Sequence, residues 1–147
     1  MSPTPLILLP PSEGKASGGE GPPLDLDTLS FESLNKTRTQ MAKSISQLSG
    51  KPRVSQKLLG VKGIALETAR ADNANLMDTP TLSAIERYTG VMYDSIDYKS
   101  LDADAKECFD QSTVILSGLF GMVRPYDMIP TYKLKMGAKL RRNRTCA

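Results

Sequence analysis

Two short patterns in this sequence could do chemistry. Ser12 and Lys15 stand in an S-x-x-K spacing within LLPPSEGK, where a lysine can in principle take a proton from a serine hydroxyl. Serine enzymes that use this spacing carry it at a helix start with partner motifs, and those partners are absent here. A strand-end loop that presents Lys15 to an anion fits the residues better, because sites in α/β sheets gather at strand ends. Gly14-Lys15 is no phosphate-binding P-loop, which would need glycine where Leu9 stands and serine or threonine where Ala16 stands. The second pattern is Arg124 and Asp127 on a loop stiffened by Pro125 and Pro130. Pro125 fixes its own φ and biases Arg124 toward extended backbone. So constrained a loop either carries a site or holds two side chains that satisfy each other and nearby carbonyls.

A third pattern lies in RVSQKLLGVKGIALETAR, residues 53–70. Val54, Leu58 and Leu59 suggest a short helix, Gly60, Val61, Lys62 and Gly63 a tight turn, and residues 64–70 a second helix. The outline is either an αα-corner with a glycine cap or a helix-hairpin-helix. In the second case the turn backbone approaches a nucleic-acid phosphate and the amides opening the second helix donate to it, with Lys57 and Lys62 alongside.

Other chemistries are excluded or unsupported. The chain has no histidine, which removes imidazole bases and His-ligated metals, and Cys108 and Cys146 form no CxxC pair. No residue is assigned a catalytic role, and no cofactor or metal is expected. The net charge of +3 conceals a division, since the last twenty residues carry six cations and no acid, leaving −3 on everything before them. An anionic partner must therefore be met by local patches. No apolar run reaches membrane-spanning length and no signal-peptide pattern is present, so the expected setting is the cytoplasm, away from membranes.

Strands and helices must position these residues. Residues 6–9 read as a buried strand between prolines, and residues 112–116 as another, broken by Ser117-Gly118. Tyr132, Leu134 and Met136 alternate with Lys133 and Lys135, which predicts a half-buried strand over 131–136. Residues 30–48 repeat apolar positions at helical spacing behind Ser30 as N-cap. Residues 80–87 read as helix, and so do residues 101–109, capped by Ser100, with Leu101, Ala105, Cys108 and Phe109 on one face. Cys108 is then a core residue. Between these helices, Tyr88, Thr89 and Tyr93 flank Gly90; the tyrosines could stack on bases or lie buried with satisfied hydroxyls.

The segment ILSGLFGMVRPYDMIPTYKLKMG resembles the signature of the YaaA peroxide-stress family nearly end to end. LLPPSEGK is similar to that family's amino-terminal strand and S-x-x-K loop, and Tyr88 to Tyr93 to its Y-T-G-x-[VL]-Y motif. The resemblance implies the family's mixed fold with a helix-hairpin-helix, a role in peroxide stress, non-specific binding of double-stranded DNA, and limitation of iron-dependent damage. It makes Lys57, Gly60, Val61, Lys62 and Gly63 the expected phosphate contacts. Ser12, Lys15, Tyr88, Thr89, Tyr93, Arg124, Asp127 and Tyr132 become candidates for an adjacent cleft.

The resemblance runs to about residue 140, whereas family chains continue further. Residues 1–140 therefore read as the amino-terminal part of a shortened YaaA-like domain, and residues 141–147 as an atypical basic tail. A shortened sheet is expected to leave an open edge and an uncovered apolar face. The expected class is α/β in the mixed, α+β sense, a mixed sheet with flanking helices. Two alternatives to DNA binding stay open: a small anion-processing enzyme built from Ser12, Lys15, Arg124 and Asp127, and a fragment with no function of its own.

Overall fold

The structure is a computed structural model that describes residues 3–140; the basic tail, 141–147, lies outside the described residues. Its class is α+β, with helices packed around two small sheets. In the first sheet β1 (Ile7–Leu9) pairs in parallel with β4 (Thr113–Ser117), Leu9 opposite Ile115. β4 pairs antiparallel with β5 (Gly121–Val123) across the Ser117-Gly118 break. β4 is the centre strand, and Val114, Ile115 and Ser117 are buried as its apolar run requires. The second sheet is antiparallel: β2 (Gly21–Pro23), β3 (Pro80–Ser83) and β6 (Met128–Ile129). The segment read as one rigid loop after Gly118 thus contains β5 and β6.

Three helices form a layer of their own: α1 (Asn35–Ser49), α2 (Pro52–Leu59) and α3 (Gly63–Ala74). Ser55 Oγ and Arg70 Nε donate to Leu48 O and Ser49 O, closing the carbonyl end of α1 at 2.6 and 2.7 Å. α1 starts five residues later than residue 30. Ser30 is no N-cap, because its N–H and hydroxyl are taken by the Asp127 carboxylate, and Phe31 turns left-handed at φ 63°. Ile45, Leu59, Ala69 and Leu76 join Ile115, Phe120, Val123 and Ile129 in one core.

Three further expectations change. Residues 80–87 split into β3 and a single helical turn, α4 (Ala84–Arg87), because Leu82 and Ser83 find partners in β6. α5 (Val91–Ile96) follows, then α6 (Ala103–Ser112), capped by Asp102 rather than Ser100, with its carboxylate 2.9 Å from the Ala105 amide. Leu101 precedes α6 in extended backbone, so the seven-residue spacing from Leu101 to Cys108 does not mark one helical face. Cys108 is exposed. Finally, residues 131–136 alternate in burial as far as Leu134 but do not form a strand, and Met136 is exposed. The Asn73 side chain takes the place of a neighbouring strand: its Oδ1 accepts from Lys133 N–H at 2.8 Å and its Nδ2 donates to Lys133 O at 2.9 Å.

Candidate functional site

Lys15 lies where three chain segments meet. After β1, the loop through Ser12 and Gly14 is zipped to residues 87–89: Ala16 N–H donates to Arg87 O at 2.8 Å and Thr89 N–H to Gly14 O at 3.0 Å. The approach needs glycine at position 14, since a Cβ there would sit 2.8 Å from Thr89 Oγ1. Lys15 Nζ then rests 4.3 Å from the ring centre of Tyr132 and 5.5 Å from that of Tyr88, donating to Ser12 O at 3.2 Å. Beneath it Tyr88 and Tyr132 hydroxyls meet at 2.6 Å, and Tyr132 Oη meets Ser117 Oγ at 2.9 Å. Ser117 Oγ already accepts from the Phe120 and Leu119 amides, so its proton goes to Tyr132 and that of Tyr132 to Tyr88. Tyr93 donates to Pro10 O at 2.7 Å, tying the loop to α5. Burial raises the pKa of all three tyrosines, which stay protonated.

The same burial works in the opposite direction on Lys15. Desolvation, reinforced by Lys133 and opposed by Glu13, lowers its pKa from 10.5 to about 8. Glu13 is turned to Lys133 instead, 3.8 Å away. Lys15 thus has carbonyls and ring faces for company. With a pKa of about 8 it is still mostly charged at neutral pH, and the neutral amine reaches half only near pH 8.

Of the sequence-derived candidates, Ser12, Lys15, Tyr88, Thr89, Tyr93 and Tyr132 come together here. Arg124 and Asp127 do not. The Arg124 guanidinium donates to Gln111 O and Thr113 O, both at 3.1 Å, closing the carbonyl end of α6 and stacking 5.3 Å from Phe31. Thr113 and Ser117 are opposite ends of β4, roughly 13 Å apart at strand rise, and Lys15 belongs to the Ser117 end. Asp127 is buried and accepts from Arg124 N–H at 2.8 Å and from Ser30 N–H and Oγ–H. Ser117 and Lys133 are the site residues that sequence reasoning missed. Ser117 had signalled only a strand end, and Lys133 only the solvent side of an alternation.

The α2–α3 turn forms a second arrangement. Gly60 closes α2 in left-handed backbone (φ 68°), its N–H bonded to Gln56 O, and Gly63 opens α3 at φ 57°. These left-handed angles favour glycine at both positions. Lys62, extended, precedes α3 with no side-chain cap, so the amides of its first turn point outward unclaimed by any side chain. Gly60 through Ala65 are exposed apart from half-buried Val61, and Ile64 is 87% exposed. Lys57 is exposed one turn back. Lys135 arrives from the far end of the chain, its Nζ 2.7 Å from where a Cβ on Gly60 would stand. No acidic residue lies between Lys51 and Glu67.

The model of the family described as peroxide stress protein YaaA matches residues 6–146. The chain belongs to the YaaA family. It is 42% identical over 137 residues to a UPF0246 protein of Streptomyces coelicolor, a match that covers 92% of this chain and 52% of that protein. A UPF0246 protein of Corynebacterium glutamicum is 41% identical over 135 residues with the same coverage, and an uncharacterised protein of Campylobacter jejuni 33% over 137 residues, covering 91% and 54%. The chain spans about half the length of the curated relatives it matches. Among the described residues no helix is long and apolar enough to cross a membrane.

The Lys15 cluster of this YaaA-family chain yields a prediction with a definite sign. The folded pKa of about 8 lies below the unfolded 10.5, so between those values the unfolded chain binds more protons and stability rises with pH. Below pH 8 the full cost of burying the charge is present, on the order of 2 kcal/mol after allowance for partial exposure. Lys15→Met is expected to raise the urea midpoint at pH 7 and to abolish most of the rise between pH 8 and 10.5. Equal midpoints for variant and parent across that range would refute the desolvated amine.

Proposed function

We propose that this chain acts in the peroxide-stress response by binding double-stranded DNA without strong sequence preference through α2, the Gly60–Lys62 turn and α3. One observation carries the reading: the uncapped, exposed amino end of α3 follows directly on Lys62, with Lys57 exposed one turn back on α2, Lys135 Nζ against Gly60 and no acid in the hairpin before Glu67. A phosphate there gains amide hydrogen bonds, the positive end of the helix dipole and several cations together. Such contacts read backbone and carry no base information, which supports binding without strong sequence preference. Exposed Ile64 stands beside the amides, so the contact surface is not purely ionic. Covering DNA in the cytoplasm would limit iron-dependent oxidative damage to it.

Fluorescence anisotropy of a labelled duplex, titrated at several salt concentrations, tests this. Binding should weaken linearly in log–log form, and Lys62→Ala should reduce the slope by about one. Lys135→Ala should do the same, although it lies outside the hairpin sequence. Salt-independent binding, or unchanged slopes in both variants, excludes the hairpin as the phosphate site.

A second reading rests on Lys15. An arriving anion would restore the charge that burial disfavours, with Ser12 and Thr89 beside it and Lys133 adding to the field. Arg124 and Asp127 have no part in it.

A further inference from the structure

β1 has the composition of an interior strand and the position of an edge. Successive strand residues point to opposite faces, so Leu6, Ile7, Leu8 and Leu9 put apolar side chains on both sides of the sheet. A parallel strand of this kind is normally covered on both faces. Here only Leu9 is buried, while Leu6, Ile7 and Leu8 are 64%, 38% and 58% exposed. β4 occupies one side of β1, and among the described residues nothing pairs with the other. The second sheet shows what a guarded edge looks like: β2 ends it with Pro22-Pro23, which cannot donate to a further strand. β1 carries no proline or charge within its span.

We infer that the free edge of β1 is a docking surface for a β-strand from the portion of the YaaA relatives that this chain does not span. Two facts select this occupant. β1 lies inside the region that matches the family, and the relatives have about as much chain again beyond the part matched here. The added strand supplies main-chain partners to β1, and apolar residues of the same portion cover Leu6, Ile7 and Leu8. The surface is separate from the α2–α3 hairpin, so the inference stands whether or not the hairpin binds DNA.

The test is to produce this chain together with the unmatched half of the Streptomyces coelicolor relative, once as two polypeptides and once joined in one. Hydrogen–deuterium exchange is then compared with that of this chain alone. The expected result is a one-to-one complex, with exchange at residues 7–9 slowed at least tenfold in both formats and Leu8→Lys weakening the two-polypeptide complex at least tenfold. Unchanged exchange at residues 7–9 in the joined protein overturns the inference. So does a concentration-dependent dimer of this chain alone with residues 7–9 protected, which would assign the edge to a second copy.

Discussion

Arg87→Met is expected to lower the unfolding free energy by about 4 kcal/mol, the largest loss from any single side chain considered in this molecule. Arg87 is fully buried, and its guanidinium donates to Ile129 O from Nε and Nη2, to Ala16 O at 2.7 Å, to Pro80 O at 3.3 Å and to Thr131 Oγ1 at 2.9 Å. Those acceptors belong to β6, the Lys15 loop, the start of β3 and the segment leading to Tyr132. Methionine fills much of the volume and leaves the buried Ile129 carbonyl and the partly buried Ala16 and Pro80 carbonyls without these donors, a loss of roughly 1–3 kcal/mol for the buried group and less for each of the others. Relief of a desolvated charge returns part of that loss, since burial lowers the Arg87 pKa and Asp72 only partly opposes it. Arg87→Lys should recover little, because an ammonium lacks the planar fork that reaches several carbonyls at once. Urea unfolding measures the stability. Titration of Lys15 supplies the second readout: with its loop released, its pKa should climb from about 8 back toward 10.5. A loss below about 1 kcal/mol with Lys15 unmoved would show that Arg87 does not organise the site.

Asp127→Ala is expected to cost about 3 kcal/mol and to leave untouched the salt dependence of the DNA binding proposed for the hairpin. Its carboxylate joins segments 97 residues apart in sequence, taking Ser30 N–H and Oγ–H on one side and Arg124 N–H on the other. Arg38 completes the joint by donating to Ser30 O at 2.8 Å, Phe120 O at 2.9 Å and Met122 O at 2.6 Å, which fastens α1 to β5. Alanine strands two partly buried amides and a hydroxyl, whereas asparagine keeps one acceptor and should cost about half as much. Pairing the melt with the anisotropy titration separates the roles. A stable variant with an altered salt slope would return Asp127 and Arg124 to the binding surface.

Both predictions concern groups whose partners are distant in sequence, and the limits of the sequence reading lie at the same places. The α2–turn–α3 unit was legible because its determinants are local: two glycines at left-handed angles, helical spacing on either side, and lysines within a few residues. β1 and β4 were legible for the same reason, as short apolar runs closed by prolines or by Ser117-Gly118. The burial expected of residues 6–9 holds only at Leu9, because no element covers the rest of β1 among the described residues. An open edge was also expected of the sheet, but that it falls at β1 is decided by the strand order. Residues 80–87 were misread because Leu82 and Ser83 are strand only by virtue of β6, more than forty residues on. Residues 131–136 carry a strand's alternation, yet the Asn73 amide occupies the pairing position and stops a ladder from forming.

The chemistry divides along the same line. Sequence by itself determined the family, the absence of imidazole chemistry and two of the lysines beside the hairpin turn, Lys57 and Lys62. Tertiary structure alone decided that Lys15 is desolvated against two tyrosine rings, that Arg124 works at the far end of β4, and that Lys135 joins the hairpin. The physical reason is that burial and charge proximity depend on which segments pack together. Local periodicity reports which face of an element is apolar, and it says nothing about what that face will meet.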